Sequence, residues 1–163
     1  MKEAMQLAGH FAAHAVWCVS DGGPLIPLLA EESAAKGRLM TRFAADMLED
    51  GAAQGQARLD ANPEHAERAV LVYDGFATLP EGRIDALIVV IRDYAAPANT
   101  LTMALPYRPM ESPEGFAVYR PKFIRWSGAT EPDYSALADA FFTGLDSHQQ
   151  GTAVWDKHSD GSL

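Results

Sequence analysis

"PLIPLLAEESAAKGRLMTRFAADMLEDGAAQGQARLDANP" runs from Pro24 to Pro63, and the way it divides decides the fold. Pro24 and Pro27 lack the amide hydrogen that an interior strand must donate, so Leu25 to Ala30 reads as an edge strand or an extended connector. From Lys36 onward, Leu39, Met40, Phe43, Met47 and Leu48 recur at helical spacing. Asn62-Pro63 closes that helix. Gly51 and Gly55 sit inside it, and each costs roughly 1 kcal/mol relative to alanine in a helix interior. They mark either close packing against another backbone or a bent helix. The acids Glu31, Glu32, Glu49 and Asp50 read as solvated surface.

Before this stretch, Glu3 to Ser20 is alanine-rich and free of proline, as a helix prefers. Leu7, Phe11, His14 and Cys18 form one apolar stripe. Met5, Ala8, Ala12, Ala15 and Val19 form a second, so this helix is expected to be buried on most sides. "DGGP", Asp21 to Pro24, ends it.

After it, the period changes. Ala66 to Leu79 and Arg83 to Tyr94 are rich in β-branched residues and joined by "PEG", a hairpin turn. Ile84 to Ile91 is apolar on both faces, as in a central strand. "NTLTMALPY" places Leu101, Met103, Leu105 and Tyr107 on one face and threonines on the other. "GFAVYRPKFIRW" supplies a fourth strand, with Pro121 at an edge or a bulge. A last helix starts near "TEPDYS", where Thr130 and Asp133 have capping-box spacing, and stops at Gly151. Val154 and Trp155 are expected to dock on the core.

The expected fold is therefore α+β: an antiparallel sheet of about four strands packed with three helices, in the order α-α-β-β-β-β-α. Residues 1–155 form a single domain and 156–163 a flexible C-terminal tail.

Composition narrows the function. The formal charge of −9 disfavours nucleic acid and anionic lipid as partners. No apolar run has the length of a membrane span. One cysteine excludes an internal disulfide and fits a cytoplasmic location.

The candidate site lies on the first helix. His10 and His14 have the spacing of a zinc-protease helix, but Phe11, Ala12 and Ala13 stand where H-E-x-x-H needs its glutamate, and His148 or Asp21 could be a third ligand only by accident of the fold, so no metal is expected. His14 sits in an apolar stripe and must find hydrogen-bond partners there. With Trp17, Cys18 and Asp21 it forms the candidate ligand-binding set. Catalytic residues stay unassigned. Cys18 lies four residues from His14 but lacks a cysteine-protease signature, and Ser20 has no G-x-S-x-G elbow. There is no P-loop, dinucleotide fingerprint or CxxC, and no cofactor is expected. Arg83, Arg92, Arg108, Arg120, Lys122 and Arg125 concentrate in the strand region. Either they pair across strands with Asp85 and Asp93, or they form a local anion site. Strand alternation puts Arg120 and Lys122 on one face and Arg125 on the other.

"AAHAVWCVSDG" followed by "LIPLLA" resembles a family of small bacterial proteins of unknown function. The resemblance covers mainly the first helix and implies no activity. The leading expectation is a non-enzymatic cytoplasmic protein-interaction domain that acts as a homodimer. The alternative is a small-ligand-binding protein or enzyme with a pocket between the first helix and the sheet, around His14, Trp17 and Asp21.

Overall fold

The computed structural model describes residues 1–80, 82–95 and 97–163. Along the chain it contains α1 (Lys2–Val19), β1 (Leu28–Ser33), β2 (Gly37–Arg42), α2 (Leu48–Ala61), β3 (Arg68–Leu79) and β4 (Gly82–Asp93). There follow β5 (Asn99–Arg108), β6 (Ala117–Tyr119), β7 (Lys122–Ser127), α3 (Tyr134–Leu145), α4 (Gln149–His158) and β8 (Ser159–Asp160). The class is α+β, but four helices and an eight-stranded sheet replace the expected three helices and four strands, and the order differs. The strands run β2-β1-β3-β4-β5-β6-β8, with β7 beside β6 on the same flank of β5. The β6–β8 pair is parallel, so the sheet is mixed rather than antiparallel throughout.

The largest correction falls on the stretch from Pro24 to Pro63. Pro27 stands just before β1, where its missing N–H ends the ladder and its carbonyl still accepts the Phe43 N–H at 2.8 Å. β1 is therefore an interior strand, paired with β2 on one side and β3 on the other. Residues 37–42, expected to be helical, form β2. Ser33 Oγ accepts the Lys36 N–H, and Gly37 takes a φ of +72° that a side chain would resist. The hairpin turns there. The apolar residues that mimicked a helical period are mostly exposed, with Leu39 at 46% and Met40 at 38%.

α2 begins only at Leu48 and ends at Asn62 in the left-handed conformation, so the Asn62-Pro63 stop is as expected. Gly51 and Gly55 are buried against the chain's own sheet. A Cβ on Gly51 would lie 2.3 Å from the Phe43 carbonyl oxygen, and one on Gly55 would lie 2.6 Å from Leu71 Cδ1. Glu31 also departs from expectation. It is buried at 3% exposure and accepts two hydrogen bonds from Arg58 of α2, at 3.0 and 2.8 Å. Glu32 is half-buried and bonded to Arg38 and Arg68, whereas Glu49 and Asp50 are exposed.

The middle strands follow the sequence closely. β3 and β4 pair from Arg68↔Asp93 to Leu79↔Gly82; Glu81 of the "PEG" turn lies outside the described residues. Leu101, Met103, Leu105 and Tyr107 share the inner face and are buried. Pro121 separates β6 from β7, which otherwise continue one line along β5.

α1 crosses the inner face of the sheet, and α3 and α4 pack on α1. Backbones meet closely there. A Cβ on Gly9 would fall 1.9 Å from the Phe141 carbonyl oxygen, and one on Gly144 would fall 1.9 Å from that of Gln6. The last helix is two helices rather than one. Asp133 caps α3 by accepting the Ala136 N–H, the chain turns at residues 146–148, and Gly151 lies inside α4 against Ala13. Trp155 is buried in the core. Of residues 156–163, those through His158 complete α4, and Ser159–Asp160 pair with β6. Among the described residues, no helix is long and apolar enough to cross a membrane.

Candidate functional site

His10, His14 and Cys18 are spaced four residues apart along one flank of α1, and such residues line up on a helix. The turn between α3 and α4 brings Ser147 and His148 against them. The His148 ring lies 5.0 Å from that of His10 and 5.2 Å from that of His14, edge to face in both cases. Trp17 adds a 43% exposed indole, edge-on to His14 at 5.8 Å. From β2, Arg42 Nη2 comes within 3.4 Å of His14 Nε2, and Arg38 stands 5.8 Å over the Phe11 ring.

The hydrogen-bond network dictates the tautomers. His148 caps α4 by accepting the Gly151 N–H at Nδ1, 3.0 Å away. A neutral His148 then carries its proton on Nε2 and donates it to His14 Nδ1 at 3.1 Å. His14 in turn holds its proton on Nε2, which points at Cys18 Sγ, 3.6 Å distant. Arg42 meets that same N–H and finds no acceptor in it. Ser147 donates its hydroxyl proton to the Gly144 carbonyl, so it accepts from His10 Nδ1 at 2.7 Å. This leaves His10 Nε2 with a free lone pair.

Burial, then the cations and imidazoles nearby, hold both helix histidines neutral. His10 is lowered from 6.5 to about 4 by desolvation, Arg38, His148 and His14. His14 is lowered by desolvation, His148 and Arg42. Desolvation raises the Cys18 thiol, and Arg42 only partly offsets this. A nucleophilic Cys–His pair needs the opposite shifts, with a thiolate stabilised beside an imidazolium. The row is therefore a hydrogen-bonded chain of neutral donors and acceptors, open at His10 Nε2.

Of the four expected site residues, the fold groups His14, Trp17 and Cys18. Asp21 is exposed in the turn after α1, where its carboxylate accepts the Gly23 N–H. Among the described residues, no three histidine, cysteine or acidic side chains are arranged to hold a metal ion. The space between α1 and the sheet is filled by buried side chains such as Met5, Leu7, Phe11, Val16 and Val89. Sequence reasoning missed Ser147 and Arg42, and weighed His148 only as an accidental third ligand. His148 stands 134 residues from His14, and its one local signal is a helix cap ahead of Gln149 and Gln150.

The strand-region cations do not pair with Asp85 or Asp93 among the described residues. Arg92 binds Asp60, Arg83 covers the Phe76 ring at 3.7 Å, and Arg108 binds backbone carbonyls of Glu114 and Gly115. Set against protein-family models, curated proteins and solved structures, the chain matches none of them.

Proposed function

We propose that the protein is a non-enzymatic interaction module of the cytoplasm that works as a homodimer, joined through β2. The observation that carries this reading is the open edge of β2. Phe43 and Pro27 form a bonded pair at the end of the β1–β2 ladder. Alternation then turns the N–H and C=O groups of Arg38, Met40 and Arg42 away from β1, towards the outside. An edge with exposed Leu39 and Met40 is a template for another strand.

A second copy fits it in one antiparallel register. A two-fold axis at Thr41 sets Leu39 against the other copy's Phe43, Met40 against Arg42, and Arg38 against Ala44. No like charges then stand opposite each other, whereas a pair centred on Met40 would oppose Arg38 to Arg42. The neutral, hydrogen-bonded state of the histidine row and the absence of a stabilised thiolate support binding over catalysis. The net charge of −9 supports a protein partner over nucleic acid.

Light scattering at high micromolar concentration is expected to give twice 17.6 kDa. Met40→Pro removes one outward N–H and leaves the β1 ladder intact, so a folded monomer is expected. Leu39→Lys should act alike without touching the backbone. A wild-type mass of 17.6 kDa overturns the reading, as does a dimer that survives both substitutions.

A further inference from the structure

The outer face of the sheet, opposite α1, carries a cleft of about 420 Å³ beyond the edge of α2. Its floor is polar, and the strand register explains how. Arg92, Thr100 and Ser127 form one cross-strand row over β4, β5 and β7. Val90, Thr102 and Arg125 form the next. The two arginines therefore stand at diagonal corners, with three hydroxyls between them.

Arg125 reaches this face through a bulge. Met103 pairs with Phe123 and Thr102 with Arg125, which leaves Ile124 as an extra residue. Phe123 and Trp126 pack inward on the core. Strict alternation from Phe123 would also aim Arg125 inward; the bulge turns it outward, onto the face of Lys122 and Ser127. The expectation that Lys122 and Arg125 lie on opposite faces fails for this reason.

The cleft's donors are largely uncommitted. Arg92 gives one Nη to Asp60 at 2.9 Å, and its buried Nε–H has no acceptor. Among the described residues, Arg125 has no carboxylate within ion-pair distance. A second cleft of about 410 Å³ adjoins the first, sharing Gln56 and Tyr73 as common walls. That end is lined by Ala52 and Ala53 of α2, with Glu49 at its border; Asp74 and Phe76 reach it only through the backbone of β3, since Asp74 bonds Tyr107 and Phe76 stacks under Arg83 on the other face. One end of the groove thus offers guanidinium and hydroxyl donors, the other aromatic and methyl surface. Glu49 repels an anion from the apolar end and so sets the direction of a bound molecule.

We infer that this groove binds a phosphate monoester with an aromatic body, its phosphate between Arg92 and Arg125 and its ring against Tyr73. A tetrahedral oxyanion has enough acceptor oxygens to engage two guanidinium forks and neighbouring hydroxyls at once. The site is separate from the β2 edge, so it stands whether or not the chain dimerises.

The test is calorimetric titration of the full chain with phenyl phosphate, inorganic phosphate and phenol. Phenyl phosphate is expected to bind saturably, about tenfold or more tighter than phosphate, and phenol not at all. Arg125→Ala should weaken phenyl phosphate by about tenfold, the loss of one charge-assisted hydrogen bond, with thermal unfolding unchanged in the absence of ligand. Tyr73→Ala should bring phenyl phosphate down to the level of phosphate. Absence of saturable binding overturns the site, and so does binding indifferent to both Arg125→Ala and Thr102→Val. Equal binding of phosphate and phenyl phosphate overturns the aromatic subsite.

Discussion

The two faces of the sheet are covered in different ways. On the inner face, Val70, Val72, Leu87, Val89, Ile91, Leu101, Met103 and Leu105 are all buried under α1, which is itself buried under α3 and α4. The outer face has only α2. Leu59 covers Leu29, Leu71 and Val90 there, and beyond them the strands of β5 and β7 show threonine, serine and arginine. The inner face is held by shape, with helix backbones touching at glycines. The outer face is held by a small apolar cluster and the buried Glu31–Arg58 pair. A face filled to van der Waals contact stabilises but has no room for a ligand. A face left half open can take one, at the cost of less buried surface.

The sharpest way to break this comparison is Gly144→Leu. Its Cβ would meet the Gln6 backbone, which cannot move aside without lifting α1 off the sheet. Loss of cooperative unfolding is expected in a urea melt followed by circular dichroism. Phe141→Ala, in the same layer, should cost about 3–5 kcal/mol. An unchanged midpoint in both variants would remove the claim that the inner face carries the stability.

On the outer face, Arg58→Ala strands the buried Glu31 carboxylate and should cost about 3 kcal/mol. The paired change Glu31→Leu with Arg58→Met should recover most of that loss in the same melt. Failure to recover it would mean that Arg58 acts through packing rather than charge.

A smaller effect belongs to the histidine row. His10 has a folded-state value of about 4 against 6.5 in the open chain. Between these limits the unfolded chain binds a proton that the folded one refuses, so stability is complete above 6.5 and declines as pH falls towards 4. His14 acts in the same direction. Urea midpoints measured across this window should fall less steeply in His10→Gln than in wild type. Parallel curves would show that the row is not coupled to folding.

The smallest effect expected is that of Arg125→Ala, within about 0.5 kcal/mol of wild type, because its exposed side chain holds nothing in the fold. A larger loss would sharpen the contrast from the other side, by giving the open face a structural share.

Legibility in the sequence followed the same division. The alternation of Leu101, Met103, Leu105 and Tyr107 was readable because one face of β5 is dry, and burial imposes a strict period. β2 was not, because its edge residues, five of the six exposed, feel no such constraint. Its Leu39 and Met40, with Phe43 and Met47, fell into a helical spacing that nothing buries as a helix. The turn chemistry of Ser33 and Gly37 was the better guide. His14 and Cys18 were legible as a pair, since four residues on a helix fix their relative direction. His148 was not, because only tertiary packing brings the far end of the chain to α1. Arg125 was assigned to the wrong face because one bulged residue reverses parity for everything after it, and Pro121 marked only the neighbourhood of that irregularity.

The glycine contacts between α1 and the two C-terminal helices have a consequence for how the chain is made. α1 is synthesised first, and both its apolar stripes need partners that come later: the strands, then Gly144 and Gly151 more than a hundred residues on. At about 5–20 residues per second, that is on the order of ten seconds during which the side of α1 that α3 and α4 cover has nothing to lie against. Through that interval the nascent chain depends on whatever shelters hydrophobic surface at the ribosome, and truncation anywhere before α3 leaves that side of α1 permanently uncovered.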